Sequence, residues 1–95
     1  MSKAGALDRA AGLLDAAGRD PDGVLPPTAA TRSLQAADEL HRAGARPVLD
    51  GDPMPPVAAI REALRLLSAL PAEDFQTDAV LNCVDHAQRA LAATR

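Results

Sequence analysis

The chain contains no Trp and no Tyr, and a single Phe is its whole aromatic content. A ligand pocket lined by aromatic rings is therefore excluded, and so is a platform on which nucleobases stack, since each needs several π faces. One cysteine, Cys83, cannot close an intramolecular disulfide, which suits a reducing compartment. Lys occurs once among ten cations, and the nine Arg are spread from Arg9 to Arg95 without a cluster. Against 13 acidic residues they leave a net charge of −3. The basic face that displaces counterions from phosphates is missing, so nucleic acid is not an expected partner. No apolar run approaches the ~18 residues of a bilayer span, and Met1–Gly5 lacks the apolar stretch of a signal peptide. No membrane association is expected, and the cytoplasm is the expected location. Val and Ile together number six, too few to furnish much sheet.

What is present is alanine. Of 45 apolar residues in a 95-residue chain, 22 are Ala and 13 are Leu. Ala, Leu and Arg are all strong helix formers, so composition alone points to an all-α protein. A chain this short cannot divide its larger apolar side chains between two cores, and residues 1–95 should form one domain.

Proline and glycine cut the chain into four segments, predicted as helices over about 3–17, 28–43, 56–70 and 77–94. The first brings Leu7, Ala10, Leu14, Ala17, Ala6 and Leu13 to one face, with Asp8, Gly12 and Asp15 opposite. It should stop at Gly18, and Gly5 and Gly12 should each cost it about 1 kcal/mol. The second follows Pro26-Pro27, with Thr28 as N-cap, and ends at Gly44; its apolar arc is nearly all Ala, which permits close approach of a neighbour. The third follows Pro55-Pro56 and carries Val57, Ile60, Leu64, Leu67 and Leu70 among its apolar residues. Burial of its five largest apolar side chains is worth roughly 7–15 kcal/mol before entropy, so the others should pack around it. The fourth starts near Thr77 or Asp78 with Val80, Cys83, Val84, Ala87, Ala90 and Leu91 inward. Asp38/Arg42 and Asp85/Arg89 are spaced as surface ion pairs. Phe75, in the bridge before the fourth segment, should plug one end. Four amphipathic helices with connections of roughly 6–11 residues pack most simply as an up-and-down antiparallel bundle.

Residues 26–32 (Pro-Pro-Thr-Ala-Ala-Thr-Arg) and 55–61 (Pro-Pro-Val-Ala-Ala-Ile-Arg) share five of seven positions. The chemical content of this likeness is that both loops enter a helix in the same way.

Each candidate for chemistry has a plainer explanation. Asp38 and His41 have the Asp-x-x-His spacing of half a carboxylate–histidine metal motif, but no second such pair faces inward. His86 falls on an outer face. Cys83 lies mid-arc as a buried thiol without an adjacent base. Asp20-Pro21-Asp22-Gly23 and Asp50-Gly51-Asp52 resemble pieces of calcium loops, but the twelfth position is Thr31 or Arg61 where a closing Glu is needed. Turn chemistry accounts for these aspartates. Ser33-Leu34 lacks the preceding Asp of the acyl carrier proteins, because Arg32 stands there. No metal, no cofactor and no catalytic residue is therefore expected.

What remains is the surface. A core half made of Ala yields little burial energy per residue, and one remedy is a partner that covers more apolar area. Leu13, Leu66 and Leu70 lie at the margins of their helices, and Val24, Leu25, Val48, Leu49 and Met54 lie in loops. These eight are the candidate interface of a non-catalytic helical interaction module, an adaptor, inhibitor or assembly subunit that meets a protein partner or forms a homodimer. The alternatives are a small-molecule carrier with an apolar cleft between helices and a helix-turn-helix transcription regulator. A polar hollow gathering His41 and several acids would count against the surface reading.

Overall fold

The computed structural model describes residues 3–20, 22–48 and 54–94. Five helices stand among them, and no strand: α1 (Lys3–Gly18), α2 (Pro27–Arg42), α3 (Pro56–Ser68), α4 (Ala72–Phe75) and α5 (Asp78–Ala92). The all-helical expectation holds, and the four long segments each become one helix. The short α4 was not foreseen; its four residues are too few to show a periodic pattern.

The helix starts follow from proline. A residue that precedes proline is driven out of the α region, so a helix can begin only after it. Pro26 and Pro55 take ψ of 150° and 145°, and Pro27 and Pro56 open α2 and α3 with the φ a first turn requires. The two loops do enter their helices alike. Thr28 is not a cap, since α2 starts one residue before it and has no side-chain cap. Thr77 does cap α5: its Oγ1 accepts a hydrogen bond from the Val80 N–H at 3.4 Å and donates to the Asp74 carbonyl at 3.1 Å.

Gly44 ends α2 with φ +102°. The Ala45 N–H reaches the Leu40 carbonyl at 3.0 Å and the Gly44 N–H reaches His41 at 2.9 Å, the paired bonds of a Schellman ending. Gly18 plays another part. It is the last residue of α1, and a Cβ there would lie 2.5 Å from Leu34 Cγ, so its bare backbone lets α2 approach.

Packing departs from the simplest bundle. α2 packs most extensively against α5 and α1, α1 also packs on α3, and α3 meets α5 over a smaller area. The helices thus neighbour one another in the order α1, α2, α5, α3, and α2 and α3, successive long helices, barely touch. Nor is α3 the hub. That place belongs to α1 and α2, whose small side chains allow close approach on more than one side. Ala10, Ala11 and Leu14 of α1 and Ala29, Ala36 and Leu40 of α2 are wholly buried, joined by Ile60, Leu67, Cys83, Ala87 and Ala90.

A loop covers the side of α1 that the helical wheel leaves outside. The Val48 N–H bonds the Asp8 carbonyl at 3.1 Å, and the Arg46 N–H bonds Asp8 Oδ1 at 2.9 Å. Gly12 is buried beneath this strap, where a Cβ would stand 2.1 Å from the Val48 carbonyl oxygen. The expectation that Gly12 faces outward is therefore corrected.

Candidate functional site

The eight candidate interface residues do not form one patch. Leu13, Leu25 and Leu66 are buried within the chain, each under 8% exposed, and are part of the core. Val48 is half-buried in the strap over α1, and Leu49 lies outside the described residues. Val24 and Met54 are exposed, at 62% and 37%. Leu70 is half-buried.

Leu70 nonetheless lines two apolar hollows. It lines a cleft of about 410 Å³ with Ala6, Leu66, Ala69 and Pro71, bordered by Arg65 and Asp74. A second hollow of about 290 Å³, lined by Ser68, Ala72, Phe75 and Gln76, also opens on Leu70. The C-terminal end of α3, α4 and the start of α1 thus make one partly open apolar corner. Phe75 packs against the core from there, as a plug should.

A different cleft, also about 410 Å³, gathers Asp15 of α1 and Arg19 just past its end with Leu34, Ala37, Asp38 and His41 of α2 and Pro47. It brings His41 near two acids, the juxtaposition that would count against a purely surface role. The polar groups already have partners. Asp15 pairs with Arg19, just past the end of α1, at 2.9 Å, and Asp38 pairs with Arg42 along α2 at 2.8 Å. His41 Nδ1 lies 3.2 Å from the Ala45 carbonyl, which can only accept, so Nδ1 carries the proton and donates. Among the described residues, no three His, Cys, Asp or Glu side chains come together to hold a metal ion.

The remaining polar groups are structural in their geometry. Ser33 is fully buried and donates to the Leu14 carbonyl at 2.7 Å, tying α2 to α1. Cys83 is fully buried; burial first, and the negative charge of Glu39 second, push its thiol up to about 12. A thiol held protonated in this way is a poor nucleophile. Asp20 accepts from the Val24 N–H at 3.1 Å and from Asp22 at 3.4 Å, so it shapes a turn. Asp50-Gly51-Asp52 lies outside the described residues. A hydrogen bond from the Arg65 guanidinium holds Glu62 below the usual carboxylate range.

His86 corrects its wheel position. It is half-buried, and Arg32 Nη1 approaches its Nδ1 at 3.2 Å across the α2–α5 junction. A guanidinium can only donate, so Nδ1 accepts and the ring proton sits on Nε2. Leu81, placed by its phase at the edge of the α5 stripe, is 43% exposed and was not among the eight candidates.

In comparisons with known proteins, no family model, no curated protein and no solved structure matches this chain. No helix among the described residues is long and apolar enough to cross a membrane.

Proposed function

We propose that this chain is a non-catalytic helical interaction module, an adaptor, inhibitor or assembly subunit, that acts through surface contact and associates with itself in the cytoplasm. The observation that carries this reading is the clustering of apolar side chains outside a filled interior. Single exposed apolar residues are ordinary on any protein and need no explanation. Here Leu70, Pro71 and Phe75 meet in a partly open corner, and Leu81 is exposed on a regular helix. An open apolar corner and an exposed helical leucine are the surfaces a partner would cover.

Light scattering over a range of protein concentrations tests the self-association. The expected outcome is a mass that rises above the 9.8 kDa of one chain as concentration increases. A strict monomer at high micromolar concentration, with a high melting temperature, would refute it.

A second reading is favoured by the cleft of Asp15, Arg19, Asp38 and His41. Its walls carry charges of both signs, which suits a small zwitterionic molecule held on the surface of the bundle. A co-purified small molecule in a native mass spectrum, lost on His41→Ala, would support a carrier.

A further inference from the structure

We infer that the seam between α3 and α5 is the face on which two copies of this chain meet, with α3 of each copy lying on α5 of the other. The inference rests on the self-association proposed above and assigns a surface to it.

The Leu70 corner has an apolar lining but nothing that selects its occupant. The His41 cleft has its polar groups satisfied. The shallow hollow at Pro27, Thr28, Thr31, Arg32 and Gln35 is the exposed first turn of a helix.

The seam is located by its two flanks. On α3, Glu62 feels the charge of Arg9, and Leu66 and Ala69 share a cleft with Ala6, so that flank looks toward α1. By helical phase Val57 and Leu64 occupy the opposite flank, the one toward α5. On α5, His86 meets Arg32 and so looks toward α2. Val84, Leu91 and Leu81 occupy the opposite flank, the one toward α3. All five stay open to solvent: Val57, Leu64, Val84 and Leu91 are only partly buried, and Leu81 is 43% exposed. This is also where the ring of helices closes over the smallest area. The result is an apolar stripe along the thinnest junction of the bundle.

Charge decides what covers it. Arg61 borders the stripe on the α3 side, and Asp78, with Asp85 two turns further on, borders it on the α5 side. Arg61 and Asp78 are both exposed and make no ion pair among the described residues, whereas Arg65, Asp85 and Arg89 are each paired within their own helix. A stripe with one cationic and one anionic rim complements itself. A two-fold axis running along the seam lays α3 on the partner's α5, so each Arg61 meets the other copy's acidic rim. The other two-fold arrangement sets α3 on α3 and brings like charges together, which costs energy. The stripe therefore fits a second copy of this chain in one orientation.

Sedimentation equilibrium on the full chain tests this with R61D, D78R, the double variant R61D/D78R, and L81E, with circular dichroism to show that each variant keeps its helices. Charge reversal on either rim should weaken the dimer about tenfold or more, L81E should abolish it, and the double reversal should restore it toward the wild-type constant. If the wild type dimerises and none of these variants alters its dissociation constant, self-association stands and this face is wrong. Weakening by both single reversals with no recovery in the double variant overturns the α3-on-α5 orientation. A wild type that stays monomeric overturns the face together with the self-association.

Discussion

Replacement of Gly12 by Ala separates two opposing effects cleanly. In a helix with free space around it, Gly→Ala stabilises by about 1 kcal/mol, because Ala has less backbone entropy to lose. At Gly12 the new Cβ would lie 2.1 Å from the Val48 carbonyl oxygen and 2.6 Å from its carbon. Both are backbone atoms, so no side chain can swing aside; the strap must move outward by more than 1 Å. That displacement breaks two hydrogen bonds, Val48 N–H to the Asp8 carbonyl and Arg46 N–H to Asp8 Oδ1. The first is worth about 1 kcal/mol and the second, solvent-exposed but charge-assisted, about 1–2 kcal/mol. Set against the helix gain, the net loss is about 1–2 kcal/mol. In a domain of this size that lowers the melting temperature by roughly 4–16 °C. Urea denaturation followed at the helix band in circular dichroism measures it directly. Stabilisation of the Gly12→Ala variant by about 1 kcal/mol would show that the strap does not rest on α1 and would refute the reasoning.

Three further outcomes follow from two buried groups. Ser33→Ala removes the bond to the Leu14 carbonyl and should cost about 1 kcal/mol in urea denaturation; an unchanged midpoint would show that the contact contributes nothing. Cys83 should resist thiol reagents in the folded chain at pH 8 and react in urea, and rapid labelling of the native protein would contradict its burial. The same thiol gives a pH dependence whose sign is fixed. Its pKa is raised in the fold, so an unfolded chain loses the proton first, near 9, and stability falls from there until about 12. At pH 10 the loss should be about 1.4 kcal/mol, and it should vanish in Cys83→Ala.

Much of the architecture was legible because its causes are local. Pro26-Pro27 and Pro55-Pro56 impose helix starts within their own few residues, and periodicity alone picks out Val80, Cys83, Ala87 and Ala90 as the buried set of α5, although Val84 and Leu91 of the same predicted stripe stay only partly buried. The strap over Gly12 was not legible, since a helical wheel records which side is polar and cannot record that a loop from 34–36 residues away covers it. The same limit applies to His86 and to the His41 cleft. Each depends on which helix lies next to which, and the order α1, α2, α5, α3 is a tertiary outcome.

The misreading of the surface is more instructive. The sequence leaves Leu13, Leu25 and Leu66 uncovered on the argument that a core of small side chains is too sparse to reach them. That argument measured the interior by the size of its side chains. The distance between helices adjusts to those side chains, and faces made of Ala and Gly bring backbones together until the gaps close. The contact between Gly18 and Leu34, tight enough to leave no room for a Cβ, shows this closure at one point. Small residues therefore reduce the energy gained per residue without leaving larger neighbours exposed. It follows that an apolar side chain still open in such a bundle is not there for want of packing material. Leu81 lies on a regular helix one turn before Val84, and the stripe it belongs to runs along the junction where closure is least complete. Its exposure weighs more than that of Val24 or Met54, which lie in loops, and it is the reason the α3–α5 seam, and not the loops, is the surface to test first.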